Sequence, residues 1–277
     1  MRIYPKIANQ EMSEDMKKII GESYGAEIQF FDENGTASEF NFWDIVRKFK
    51  KNYPNLKEIT IHPPLDDYNF EMVVFKDKHM VEKQLDMAVK LSEELDIDLN
   101  FLFHVYMTKD QYIATGLMDI LNEMVKKLDN TRVTVLIENL YMMLDERKEC
   151  SVIGICKYIN NRHLRACIDT THVHCKANIY KMNFYELIEN DFKKEECEKF
   201  VKQIHFAAAL QNDGYIDKKT HGRRHENEET LTKELDWLRK YGMADKNYVT
   251  EVSEEDYYTR VDQIAEIEML KKAENTH

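Results

Sequence analysis

Residues 131–138 read Thr131-Arg132-Val133-Thr134-Val135-Leu136-Ile137-Glu138, a β-branched and aliphatic run that ends on a carboxylate. A short apolar run of this kind reads as a buried strand. Runs of the same character recur at Arg2–Ile7, Ala26–Phe31, Glu58–His62, Asn100–His104, Arg165–Asp169, Gln203–Ala208 and Asn247–Glu251, making eight in all. Between them lie segments with helical spacing. One carries Val81, Leu85, Ala88, Leu91 and Leu95; another Ile113, Leu117, Leu121, Met124 and Leu128; a third Leu231, Leu235 and Leu238. Spacings of three and four put each set on one helical face, which suits a layer of helices covering a parallel sheet.

Eight strand–helix units in 277 residues predict an α/β fold, a single (β/α)8 TIM barrel over residues 1–277, since such a barrel takes about 250 residues. An open doubly wound sheet could be written with the same alternation. The first strand, however, is followed by Ala8-Asn9-Gln10 with no glycine-rich turn, which argues against a nucleotide cofactor.

Composition fits a soluble globular protein and narrows its partners. Apolar residues make up 43% and charged residues 32%, enough to bury a core of this size. No apolar run approaches the ~18 residues of a membrane span, and MRIYPKIANQ lacks the apolar stretch of a signal peptide, so a cytoplasmic location without membrane contact is expected. The five cysteines form no CxxC pair and read as reduced thiols. A formal charge of −12 speaks against general binding to a phosphate backbone. Self-association into a homo-oligomer is compatible with all of this.

The chemistry lies at the strand ends. Six of the eight runs finish on or near a metal-capable side chain: His62, His104, Glu138, Asp169, His205 and Glu251. In a barrel all the C-terminal strand ends meet at one rim. Several carboxylates gathered there behind apolar strands would repel one another and suffer desolvation. A divalent cation relieves both costs, and mixed His and carboxylate donors suit Zn²⁺, Mn²⁺ or Fe²⁺ better than Ca²⁺. Each residue alone also fits a plainer role; Asp169, followed by Thr170 and Thr171, could simply cap a helix.

On the segments IHPPLDDYN, FHVYMT, VLIENL, CIDTTH and YVTEV and the strand holding His205, the chain resembles the xylose-isomerase-like barrel superfamily, which includes sugar isomerases and epimerases and endonuclease IV. The resemblance implies a core metal set of Glu138, Asp169, His205 and Glu251, with His172 contacting substrate. It implies in addition that His62 and His104 could share a second metal with Glu138, as in the endonuclease IV branch. A third metal of that branch needs an Asp-Arg-His segment after the seventh strand. Here that region reads DGYIDKKTHGRRHENEE, so either His221 or His225 stands for the histidine. If it is His225, a cation, Arg223, replaces the aspartate.

Lys218, Lys219, Arg223 and Arg224 crowd the same segment. With His221 and His225 they suggest a clamp for substrate or phosphate, because Arg and Lys pair with phosphate oxygens.

The expected activity is a metal-dependent isomerase or epimerase acting on a sugar, sugar phosphate or related hydroxy-ketone through an enediolate, with Glu138 and Glu251 as the acid/base pair. The alternative is a zinc-dependent phosphodiesterase cutting abasic DNA. A non-catalytic metal-binding barrel ranks last, since all four core ligands are present.

Overall fold

A computed structural model describes residues 1–8, 11–30, 42–63, 69–140, 150–208, 222–254 and 256–275. The strands are β1 (Arg2–Ala8), β2 (Gly25–Gln29), β3 (Glu58–His62), β4 (Asp98–Val105), β5 (Val133–Asn139), β6 (Leu164–Asp169), β7 (Val201–Phe206) and β8 (Asn247–Thr250). Among the described residues they pair in sequence order, all parallel, and β8 closes onto β1. This is the (β/α)8 barrel read from the sequence, with strand boundaries shifted by no more than a few residues.

The outer layer is made of α1 (Glu14–Glu22), α2 (Phe42–Asn52), α3 (Phe70–Leu95), α4 (Lys109–Thr115), α5 (Leu117–Lys126), α6 (Ser151–Ile159), α7 (Thr170–Ile179), α8 (Phe184–Asp191), α9 (Lys194–Phe200), α10 (Glu228–Lys240) and α11 (Val261–Asn275). Val81, Leu85, Ala88 and Leu91 of α3 and Leu231, Leu235 and Leu238 of α10 are buried against the sheet as their spacing requires. The segment from Ile113 to Leu128 departs from that reading. Gly116 takes a left-handed φ of 77° and ends α4, and the chain re-enters a helix as α5. Ile113, before the break, is 46% exposed, while Leu117, Leu121 and Met124 beyond it are buried.

Alternation along each strand separates two interiors. Outward residues such as Phe101 and Phe103 join the large core beneath the helices, where they meet Trp43 and Phe70. Inward residues fill the barrel. There Leu102, Leu136 and Cys167 form a small apolar cluster of their own.

Much of the rest of the described barrel interior is polar. The Tyr4 hydroxyl donates to Glu58 Oε2 at 2.8 Å, and the Asn100 amide donates to Glu58 Oε1 at 2.8 Å and to Thr60 Oγ1 at 3.1 Å. Thr60 donates to Gln203 Oε1 at 2.9 Å, and Gln203 donates to Glu27 Oε2 at 2.7 Å. Lys202 adds a cation 3.0 Å from Glu58 Oε1. The column thus runs from the N-terminal end of the barrel up toward its C-terminal rim, and every step has a partner, as buried polar groups require.

All five cysteines are buried free thiols. Among the described residues no helix is long and apolar enough to cross a membrane.

A candidate metal centre at the strand ends

Strand register sets the site. His104 is the Cα partner of Glu138, and Asp169 is the Cα partner of His205. Each therefore stands at the same height as its neighbour. Glu251 follows directly on β8, where its backbone N–H donates to the Phe206 carbonyl of β7 at 3.2 Å. One donor atom from each of Glu138, Asp169, His205 and Glu251 falls within a sphere in which all lie less than 4.8 Å apart. The first three are buried, and the Glu251 side chain keeps 15% of its surface open. It is the most accessible of the four and lies toward the mouth.

The donor atoms are close without being hydrogen-bonded. His205 Nδ1 lies 2.6 Å from Glu251 Oε2 and 3.3 Å from Glu138 Oε2. Yet His205 Nδ1, Glu251 Oε2 and both Glu138 oxygens lack hydrogen-bond alignment with any partner. Leaving such atoms buried and unsatisfied costs about 1–3 kcal/mol each. Donors about 2.0–2.2 Å from a common Zn²⁺ would sit roughly 3–3.6 Å from one another, so this crowding is what a divalent ion would resolve. The residues present fit the metal that the superfamily resemblance implies.

Asp169 serves two purposes. Its Oδ1 caps α7 by accepting the backbone N–H groups of Thr171 at 2.6 Å and His172 at 3.1 Å. Its Oδ2 faces the site, 3.2 Å from His172 Nδ1. The oxygen that caps the helix and the oxygen that faces the cluster are therefore different atoms of one carboxylate. His172 is brought to the same place, its Nδ1 2.7 Å from the Asn139 carbonyl and 3.6 Å from Glu138 Oε1.

A second group shares Glu138. His62 Nε2 and His104 Nε2 are 3.4 Å apart, and they lie 4.0 and 3.5 Å from Glu138 Oε2. Burial, with the Lys6 charge and the neighbouring ring, holds His62 well below its ordinary range, and burial lowers His104 as well. Both shifts favour the neutral ring, the form that offers a lone pair to a metal.

Two members of the site escaped the sequence reading, Lys6 of β1 and Glu27 of β2. They are Cα partners in the sheet. Lys6 Nζ lies 2.6 Å from Glu251 Oε1 and 3.2 Å from Glu27 Oε1. Glu27 Oε2 lies 2.8 Å from His205 Nε2. Burial alone would raise the Glu27 carboxyl, but the charges of His205 and Lys6 outweigh it and hold it below the usual range. The signal available in the sequence was parity. In a closed parallel barrel covered by helices, a charged residue inside an apolar strand has only the barrel interior to face.

The basic segment after β7 is only partly brought to the rim. His221, Lys218 and Lys219 lie outside the described residues. Arg223 pairs through its backbone with Ala208, two residues beyond β7. Arg224 is turned outward toward Asp262, with Nε 3.5 Å from Oδ1.

His225 does not join the metal ligands or form part of a phosphate clamp. It is buried in the helical layer, stacked on Phe206, with Nδ1 2.5 Å from Glu266 Oε1 and Nε2 3.4 Å from Glu234 Oε2. Two carboxylates from α10 and α11 claim the ring, and neither was adjacent to it in sequence.

Gly222 makes the turn into this segment. Its φ is +69°, and a Cβ placed on it would lie 2.4 Å from the Glu251 carbonyl oxygen. A Gly222→Ala substitution is therefore expected to displace the backbone that carries Glu251. Thermal unfolding should fall by about 1–3 kcal/mol, together with a loss of metal affinity. Unchanged unfolding and unchanged metal uptake would show that the segment yields without moving Glu251.

Solved structures share the fold throughout. A D-tagatose 3-epimerase-like protein superposes with a TM-score of 0.65 at 19% identity, covering 100% of this chain and 98% of that one. The IolI protein, solved with a bound zinc atom, gives 0.62 at 14% identity, covering 100% and 97%. An L-ribulose 3-epimerase gives 0.57 at 14% identity, covering 99% and 95%. At these identities the likeness is one of fold. No curated protein matches the sequence at a significant level. The model of the xylose isomerase-like TIM barrel family matches residues 26–271, nearly the whole length, and the chain belongs to that family.

Proposed function

We propose that this barrel is a divalent-metal-dependent isomerase or epimerase acting on a sugar, sugar phosphate or related hydroxy-ketone. The observation that carries the proposal is the convergence of Glu138, Asp169, His205 and Glu251 within 4.8 Å, with carboxylate oxygens that the protein leaves unsatisfied. Those four residues would hold the metal, with Zn²⁺ and Mn²⁺ suited to the donor set. When bound, the metal supplies Lewis acidity toward a carbonyl and its neighbouring hydroxyl. The fold shared with a D-tagatose 3-epimerase-like protein and an L-ribulose 3-epimerase adds to the reading as analogy.

The acid/base work falls to Glu138 and Glu251. They come from β5 and the end of β8, three strands apart around the rim. A substrate lying between them can lose the proton beside its carbonyl to one carboxylate. The electron pair of that C–H bond moves onto the carbonyl, giving an enediolate. It returns to carbon when the other carboxyl delivers a proton to the opposite face. His172, held through Nδ1 by the Asn139 carbonyl, orients a substrate hydroxyl. Arg223 carries the role of phosphate contact for a phosphorylated substrate.

The test is solvent exchange. Protein loaded with Zn²⁺ or Mn²⁺ is incubated in D₂O with a panel of ketoses and their phosphates and followed by NMR. Deuterium beside the carbonyl and a new epimer or isomer are expected, and chelation should abolish both. No label and no new sugar across the panel would sink the proposal.

One observation favours a second reading, an endonuclease-IV-like phosphodiesterase. His62, His104 and Glu138 offer donors for a further metal, all within 4.8 Å. Against it stand the charge of −12 and the burial of His225 among Glu234 and Glu266. Incision of an abasic duplex by zinc-loaded protein would overturn the preference.

A further inference from the structure

His205 is the one core ligand whose two ring nitrogens face different chemistry. Nδ1 faces Glu251 Oε2 at 2.6 Å and Glu138 Oε2 at 3.3 Å. Nε2 faces Glu27 Oε2 at 2.8 Å. The Gln203 amide nitrogen lies 3.1 Å from the same Nε2 and donates to the same Glu27 oxygen at 2.7 Å. An amide NH₂ can only donate, so a hydrogen on Nε2 has Glu27 Oε2 as its acceptor, and two donors then share that oxygen. The Gln203 orientation is itself fixed, because its carbonyl accepts from Thr60 at 2.9 Å.

We propose that Glu27 is a positioning residue that aims His205 at the metal: it accepts the Nε2 hydrogen, so that Nδ1 is the ligating atom. This rests on the metal-binding reading above. A metal-bound imidazole whose other nitrogen donates to a carboxylate is fixed in tautomer and ring angle and made a stronger donor. Glu27 is suited to the task because one oxygen takes hydrogen bonds and the other faces a cation. Oε2 takes His205 and Gln203, and Oε1 lies 3.2 Å from Lys6 Nζ. Lys6 reaches Glu251 Oε1 at 2.6 Å as well, so one ammonium ties the positioning carboxylate to a ligand carboxylate. The glutamate is wholly buried, at 0% exposure, and acts through the ring rather than on substrate.

A plainer role would make Glu27 only the counter-ion of Lys6. The two roles separate in metal binding. Zn²⁺ affinity is measured by competition with a chromophoric chelator, and ligand geometry from the visible spectrum of Co²⁺-loaded protein, for the parent, Glu27→Gln and Glu27→Asp. Positioning predicts that Glu27→Gln binds Zn²⁺ about 10–100-fold more weakly with an altered Co²⁺ spectrum, and that Glu27→Asp falls between it and the parent. A pure counter-ion role predicts reduced unfolding temperature with affinity and spectrum intact, and that result overturns the proposal. If Glu27→Gln does not fold, Glu27→Asp decides alone, parental affinity and spectrum counting against positioning. A parent that takes up no Zn²⁺ overturns both this inference and the proposed function. Zn²⁺ uptake by a parent that converts no ketose defeats the proposed reaction only.

Discussion

Turnover by a Glu251→Gln variant is expected to fall by about 10³-fold, in the range that removing a general acid/base costs, while the protein stays folded. The geometry explains both halves. Glu251 presents Oε2 to the site and Oε1 to Lys6 at 2.6 Å. Glutamine keeps the shape but loses the charge that takes up a proton, and it offers a poorer metal ligand. Folding survives because Lys6 retains Glu27 as a partner at 3.2 Å. Deuterium exchange on whichever ketose the parent converts is the measurement, with circular dichroism as the control for folding. Activity within tenfold of the parent would remove Glu251 from the mechanism.

The second large effect concerns stability and lies in the helical layer. His225 stands between Glu266 Oε1 at 2.5 Å and Glu234 Oε2 at 3.4 Å, and His174 Nε2 reaches Glu234 Oε2 at 3.0 Å. Burial alone would push His225 down, but hydrogen bonds and charge from Glu234 and Glu266 outweigh it and hold it at about 9. Glu234 is held at about 2, since His174 and His225 outweigh its burial. A His225→Ala substitution leaves two buried carboxylates short of their cation. The expected cost is about 3–5 kcal/mol.

The sign with pH follows from the direction of each shift. His225 contributes in full below its unfolded value of ~6.5, and the contribution is lost as pH rises through about 9. Glu234 contributes in full above its unfolded value of about 4.5 and loses the contribution as pH falls toward about 2. The network is therefore strongest between those unfolded values, and the parent should lose stability from pH 6 to pH 9. Thermal unfolding at those two pH values checks this. A His225→Ala variant that loses as much as the parent over the same interval would place the titration elsewhere.

How much of this was legible in the sequence depends on where the polar residue stood in its strand. Glu138, Asp169, His205 and Glu251 end or directly follow apolar runs, so position alone pointed to their convergence, because the barrel sends every such end to one rim. Glu27 and Lys6 stand inside GAEIQ and RIYPKIA, where a single charge resembles any solvent-facing strand residue. Only closure of the sheet, which removes the solvent face, shows that they point inward. His225 was ambiguous for another reason. Its fate was set by Glu266, which lies 41 residues further on in α11, and no local spacing carries that information. The helical spacing from Ile113 to Leu128 was regular, yet the left-handed Gly116 overrode it.

The polar column inside the barrel bears on how the strands find one another. Sliding a parallel strand by two residues preserves the alternation that faces apolar side chains to the helices, so the outer core by itself discriminates weakly against a slipped pairing. The column does not share that tolerance. Glu58 needs Tyr4, Asn100 and Lys202 beside it, and Thr60 needs Asn100 and Gln203. A slip would strand these groups without partners, at about 1–3 kcal/mol for each. The interior below the rim thus acts as a lock with one matching alignment, and the height at which Glu138, Asp169, His205 and Glu251 meet is fixed from beneath.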